Sequence, residues 1–425
     1  MRLINTLTLQ FEQFLDTRKP PYAILSHTWG NQEVTYDETL NPSQETRLKA
    51  GFQKIESCCG MAREYGLSYA WVDTCCIDKR SSAELSEAIN SMYRWYRDAE
   101  VCFVYIVDVD SVPICGETYG SADQIQAFKK SRWFSRGWTL QELIAPRKRL
   151  FFSNDWSLIR FSTDKNEKNF LDELLASITG VSPDVLQHRK PLSKLCVAER
   201  MSWASRRETT REEDMAYCLM GILDVNMHIL YGEGSQKAFR RLQEEIMKNS
   251  FDYSLFAWPS RYAESGLLAR SPTDFADMPK LGLWSPAMLT PFQMTNLGLL
   301  IRLNFNHEQH QESDFANPPH FTRAALQIDV KSEYGWAILV VRLRPVKGVY
   351  CVVNGRRCRA FRRVGCSTFE AADTGTFNGT PYEDILVLED EHLELAKTAQ
   401  QHHDERWGRR NRFMLREPLY SEHLI

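Results

Sequence analysis

Up to about residue 155, short apolar runs of strand length alternate with stretches of helical period. This alternation constrains the fold more than any other feature. Tyr22-Ala23-Ile24-Leu25-Ser26 reads as a first strand, and residues 46–65 as a helix with Leu48, Phe52, Ile55 and Cys59 on one stripe. Residues 67–72 read as the next strand. Ser81, with Glu84 three residues on, opens a capping-box helix that places Leu85, Ala88, Ile89, Met92 and Tyr96 on one face. Residues 101–107 are apolar at nearly every position, as a central strand buried on both faces requires. A helix over 134–144, stopped by Pro146, leads to a strand at 149–152. Such alternation predicts an α/β fold with a mostly parallel sheet and helices on both faces.

The rest of the chain changes character. Residues 165–250 read as mainly helical, with helical spacing over 201–204, 215–222 and 239–247. Tyr231-Gly232-Glu233-Gly234-Ser235 reads as a turn with Ser235 as the N-cap of the last helix. The two glycines also suit a phosphate cradle, although neither a Walker spacing nor G-x-G-x-x-G is present. From Pro259 onward, β-type runs at 299–303, 325–330, 336–343 and 350–353, with a turn at Asn354-Gly355, predict a small antiparallel domain. Residues 390–412 are charged and read as a solvated tail. The expected division is 1–160 α/β, 161–258 helical, 259–389 β-rich and 390–425 tail.

Composition narrows the partners. Hydrophobic residues make up 43% and charged residues 25% of the 425, ordinary values for a soluble protein. A net charge of −3 gives no pull toward nucleic acid or anionic membrane. No apolar run reaches the ~20 residues of a membrane span, and the N-terminus carries no secretory signal, so a cytoplasmic location is expected. The 11 cysteines are spread along the chain and read as reduced thiols. Cys58-Cys59 and Cys75-Cys76 are adjacent pairs rather than zinc-type C-x-x-C, and no metal site is expected.

Three blocks carry unusual residues where core strands would hold Val or Ile. They are Ser26-His27-Thr28-Trp29-Gly30, Trp71-Val72-Asp73-Thr74-Cys75-Cys76-Ile77-Asp78 and Gly137-Trp138-Thr139-Leu140-Gln141-Glu142. Residues just past the carboxyl ends of strands line the ligand crevice of an open α/β sheet, so the blocks predict one composite site. In the helix expected over 134–144, Trp138 and Glu142 are i and i+4 and share a face. An aromatic plane beside a carboxylate suits a sugar or a nicotinamide ring. Equally, Glu142 suits an ion pair with Arg136, Arg147 or another base, with Trp138 as core. His27 suits a phosphate or ribose contact or acid–base work, or a structural hydrogen bond with Trp29 as core. Asp73 suits orienting His27 or holding a ribose hydroxyl, and Asp78 suits a turn cap. Cys75 or Cys76 with His27 and Asp73 would make a Cys-His-Asp hydrolase if the base lay within reach.

Ser26 to Gly30, Trp71 to Lys79 and Arg136 to Glu142 resemble the signature blocks of the fungal heterokaryon-incompatibility (HET) domain. Glu199 to Trp203 with Glu212 to Glu233 resembles the segment carboxyl-terminal to that domain in many fungal proteins. The resemblance implies self/non-self recognition and programmed cell death when incompatible hyphae fuse, a form of innate immunity. It also implies a TIR-like (flavodoxin-like) fold, some members of which cleave NAD. On that analogy Glu142, before the 149–152 strand, is the catalytic glutamate that stabilises the oxocarbenium charge of the breaking nicotinamide–ribose bond. Ser26, His27, Trp29, Asp73 and Trp138 would then bind substrate, and NAD would be a substrate rather than a cofactor. The rival is a non-catalytic death-signalling module acting by self-association or by binding a protein partner, with the blocks as fold determinants. Catalysis requires the block residues to converge on one open pocket, whereas a structural role requires them to be buried and mutually satisfied.

Overall fold

A computed structural model of the chain describes residues 1–111, 122–161, 167–276, 278, 281, 291–306, 322–332, 335–353, 356–365, 370–372, 374–377 and 382–390. The chain starts with an antiparallel hairpin of β1 (Arg2–Asn5) and β2 (Phe11–Gln13). Sequence periodicity missed it, because only Leu3 and Ile4 of these strands are buried. β3 (Ala23–His27) is buried at every position. The helices α1 (Tyr36–Leu40), α2 (Gln44–Leu48) and α3 (Ala50–Glu64) come next.

The single helix expected over 46–65 is broken between α2 and α3. Lys49 is extended, with ψ 140°, and Leu48 leaves the buried stripe at 72% exposure. The break brings Gly51 onto the backbone of the preceding loop. A Cβ there would lie 2.5 Å from the Gln32 carbonyl oxygen, so only glycine allows the approach.

Beyond α3 lie β4 (Tyr69–Trp71), the one-turn α4 (Asp73–Cys76) and α5 (Ser82–Asp98). Ser81 caps α5 by accepting from the Glu84 N–H, but the Glu84 carboxylate turns to Arg2 and to the Asp78 N–H, so the capping box is half formed. β5 (Val101–Tyr105) precedes α6 (Ala122–Lys130), α7 (Thr139–Ile144) and β6 (Arg149–Phe152). The helix expected over 134–144 is shorter: a 3-10 turn, Arg132–Ser135, and α7 are separated by Arg136, Gly137 and Trp138.

The sheet order is β2-β1-β4-β3-β5-β6. β4, β3, β5 and β6 are mutually parallel, and β1 runs antiparallel to β4. The sheet is therefore mixed, a four-strand parallel core with an antiparallel hairpin at one edge. β5 lies between β3 and β6, and Cys102, Phe103 and Val104 are fully buried, which accounts for its apolar run. Burying a side chain such as Phe103 contributes about 1.5–3 kcal/mol.

Among the described residues six α-helices come after β6: α8 (Glu167–Thr179), α9 (Pro183–Leu186), α10 (Val197–Ser202), α11 (Asp214–Tyr217), α12 (Met220–Leu223) and α13 (Ser235–Asn249). Residues 1–246 and 270–276 form one compact unit, and 247–269 with 277–425 form a second.

The second unit is β-rich. Its strands are β7 (Glu264–Ser265), β8 (Gln293–Thr295), β9 (Gly298–Asn306), β10 (Thr322–Ser332), β11 (Gly335–Val353), β12 (Arg356–Val364), β13 (Glu370–Ala372) and β14 (Tyr382–Val387). The runs expected at 336–343 and 350–353 join as one strand, β11, with an irregularity between Pro345 and Tyr350. β9 pairs with β10, β10 with β11, β11 with β12, β12 with β14 and β14 with β9, so the sheet closes into a barrel-like ring. Leu299, Ile301, Leu303 and Phe305 alternate into its core. The Asn354-Gly355 turn and the tail beyond Asp390 lie outside the described residues.

Candidate functional site

Ser26 and His27 end β3 and, as consecutive strand residues, face opposite sides of the sheet. This splits the expected composite site in two. On one side the Ser26 hydroxyl accepts from the Trp133 indole N–H at 2.9 Å and donates to Glu142 at 2.5 Å. The Tyr96 hydroxyl donates to the Leu25 carbonyl beside them. Every residue of α7 is buried, and Glu142 is 6% exposed. Burial pushes its carboxyl up to about 8, outweighing the Ser26 hydrogen bond and the nearby Arg207 guanidinium, which favour the charged form. Arg207 is itself buried, which lowers it to about 10, and it donates to the Arg136 carbonyl and the Thr139 hydroxyl.

On the other side His27 is held from both ring nitrogens. A Lys54 ammonium can only donate, so His27 Nδ1 accepts from Lys54 Nζ at 2.7 Å and Nε2–H donates to Asp73 at 2.9 Å. The Trp29 indole donates to the second Asp73 oxygen at 2.7 Å, while its ring is 52% exposed and has Lys79 Nζ 3.6 Å from its centroid. Burial alone would raise Asp73, but hydrogen bonds from His27 and Trp29 and the Lys79 charge bring it down to about 2. Lys54 also donates to Glu33 at 2.6 Å, and the Gly30 N–H donates to the same oxygen at 2.7 Å.

A crevice of about 170 Å³ adjoins this second cluster, lined among others by Thr28, Gly30, Glu33, Gly51, Lys54 and Arg132. Tyr105 and Val107 form part of its wall, so it lies past the carboxyl ends of β3 and β5. The chain passes from β3 to β4 on one flank and then crosses back to β5 on the other, which makes this the switch point where open α/β sheets bind ligands. None of Ser26, His27, Trp29, Asp73, Trp138 and Glu142 is among the lining residues; the crevice meets the second cluster through Lys54, Glu33 and Gly30.

Trp138 does not form the expected aromatic plane beside Glu142. Its indole donates to Asp214 at 3.1 Å, and the Tyr231 hydroxyl donates to the other Asp214 oxygen at 2.9 Å. Gly137 N–H donates to the Glu208 carbonyl, and Arg136 to the Thr210 hydroxyl. A Cβ on Gly137 would lie 2.5 Å from Thr209, so this block is a clamp onto the segment after α10. The Gly232 and Gly234 N–H groups, on residues with φ 97° and 83°, both donate to the Glu213 carboxylate. The segment is thus the turn expected, and the chain's own anion takes the place a phosphate would have had.

The Cys-His-Asp arrangement is not assembled. The Cys75 thiol donates to the Val72 carbonyl, Cys76 sulfur accepts from the Val72 N–H, and both His27 nitrogens are engaged elsewhere. Burial pushes the Cys75 thiol well up, away from the thiolate. Among the described residues no cluster of three or more His, Cys, Asp or Glu side chains could hold a metal, and no helix is long and apolar enough to cross a membrane.

Residues 22–116, from β3 past β5, match the family "Heterokaryon incompatibility protein (HET)", and residues 237–294 match a domain of unknown function, DUF8212. The vegetative incompatibility protein HET-E-1 of Podospora anserina is 47% identical over 232 residues, 54% of this chain. That stretch spans 16% of the relative's own length. No solved structure matches. Residues 22–116 are thus similar to the HET domain of heterokaryon-incompatibility proteins.

Proposed function

We propose that this chain acts in vegetative incompatibility, in self/non-self recognition and the ensuing cell death, as a cytoplasmic signalling module working through self-association or a protein partner. The observation that carries this reading is Glu142. It is 6% exposed, hydrogen-bonded to Ser26 and absent from the crevice wall. The third block is spent on the fold in the same way, through the Trp138–Asp214 clamp. The test is incubation of the purified chain with NAD at low and at high protein concentration, with nicotinamide as the readout. The expected result is no release, together with killing by Glu142→Gln equal to that by the unaltered chain when each is expressed in fungal cells. Nicotinamide release that Glu142→Gln abolishes overturns this reading.

That outcome would favour a second reading, NAD glycohydrolysis on a TIR-like fold. Two observations support it. The parallel strands are arranged β4-β3-β5-β6, which by chain position is the second-first-third-fourth order of flavodoxin-like sheets. An open crevice also lies at their switch point, and its wall residue Lys54 contacts His27.

A further inference from the structure

We propose that the crevice past β3 and β5 binds a small phosphate-bearing ligand, gripped by Arg132 and Lys54. The inference goes beyond both readings above, since it asks for binding and holds whether or not NAD is cleaved. It begins with Lys54, which lines the crevice with a side chain only 10% exposed. An ammonium carries three donors. Two are spent, on His27 Nδ1 and Glu33 Oε1, and among the described residues nothing takes the third. A buried cation with an unspent donor in a cavity wall calls for an acceptor from outside.

Arg132 supplies the second grip. Its backbone N–H is fixed by Asp108, whose other oxygen takes the Ser131 hydroxyl, while its guanidinium has no partner among the described residues. Glu33 is the carboxylate of this wall; its Oε1 is met by Lys54 and the Gly30 N–H, while its buried Oε2 takes no partner among the described residues and is left for a donor such as a protonated phosphoryl oxygen. Among the lining side chains two cations, Lys54 and Arg132, stand against the one carboxylate of Glu33. A guanidinium fork beside a point-charge ammonium matches a tetrahedral oxyanion with several acceptor atoms better than a flat, neutral ligand. The volume, about 170 Å³, is below the ~300 Å³ at which drug-sized ligands begin to fit. It suits a phosphoryl group with a small appendage, the remainder of any larger ligand lying outside. Gly30 leaves the mouth open, since a Cβ there would meet nothing closer than Glu33 at 3.7 Å.

The experiment is calorimetric titration of the full chain with inorganic phosphate, adenosine monophosphate and ribose. Sedimentation with phosphatidylcholine vesicles, with and without a phosphorylated inositol lipid, runs in parallel. Phosphate and the nucleotide should compete for one site, and ribose should give no heat. Arg132→Glu should weaken both by about tenfold or more at an unchanged melting temperature, because the side chain is exposed. Arg132→Lys should retain part of the affinity. Absence of binding by phosphate and nucleotide at millimolar concentration, or equal binding by Arg132→Glu, overturns the proposal. Binding to the phosphorylated vesicles alone also overturns it and makes the cations a membrane-facing patch.

Discussion

The Ser26 hydroxyl stands 2.5 Å from the Glu142 carboxyl, so residues 116 positions apart in the sequence share one hydrogen bond sealed from solvent. Replacing Glu142 by Gln keeps an acceptor for Ser26 and should leave the fold intact. Replacing it by Ala removes the acceptor and opens a void, costing about 2–4 kcal/mol. The pH dependence separates the cases further. With its carboxyl raised to about 8, the folded chain holds this proton more tightly than the unfolded chain. Its contribution is full below the ordinary carboxyl range and is lost as pH rises toward 8, by on the order of 1 kcal/mol per unit. In urea titrations at pH 5 and pH 8, Glu142→Gln should gain on the unaltered chain as pH rises. Parallel behaviour of the two would mean that Glu142 carries a charge throughout.

Asp73 has the opposite sign. Its carboxyl is held down at about 2, so the stability it confers is present above the ordinary carboxyl range and lost as pH falls from about 4 to about 2. Asp73→Asn should cost on the order of 2 kcal/mol at pH 7 and flatten the acid limb of the stability curve. An unchanged acid limb in the variant would place the acid sensitivity elsewhere.

Trp138 and Asp214 make a pair suited to a double-mutant cycle. Trp138→Phe keeps most of the bulk and removes the donor, at about 1 kcal/mol. Combined with Asp214→Asn, the losses should be less than additive, with a coupling of about 0.5–1 kcal/mol. Strict additivity in denaturant titrations would mean that the hydrogen bond at 3.1 Å contributes nothing to the clamp.

Thiol accessibility offers a test that needs no mutation. Cys58, Cys59, Cys75, Cys76, Cys102, Cys196, Cys218 and Cys358 are buried, whereas Cys351 is half-buried. Alkylation of the native chain should reach Cys351 before any of these eight, and all should react once the chain is unfolded. Mass spectrometry of peptides from a brief labelling pulse gives the order. Early labelling of Cys75 or Cys76 would mean that the second block opens readily.

The parallel core was legible because its strands are buried on both faces, so apolar runs such as 101–105 carry the signal at every residue. The β1–β2 hairpin was not, since pairing at an edge asks for few apolar positions. The three blocks were legible as unusual, but not which of their residues meet. Period-2 alternation sends Ser26 and His27 apart, and the break at Arg136, Gly137 and Trp138 redirects the Trp138 indole to Asp214. Other partners escaped notice for ordinary reasons. Lys54 and Tyr96 sit on amphipathic helices among residues of the expected type, and Arg207 hides in the charged run Arg206-Arg207-Glu208, which reads as solvated although Arg207 is buried. Trp133 gave the one usable hint, as part of an aromatic pair, Trp133-Phe134, set between polar residues just ahead of the third block.

Closure of the β9–β14 ring bears on how such a chain can associate. Each strand of the ring is flanked by two others, and the strands outside it, β7, β8 and β13, are two or three residues long. Along the paired stretches of the described residues a docking chain therefore meets no free strand edge, and extension of the sheet there by a borrowed strand would first require part of the ring to be unzipped. Copies of the chain that gather through this unit must recognise one another by side-chain relief and charge, a code that single substitutions can rewrite without disturbing the barrel itself.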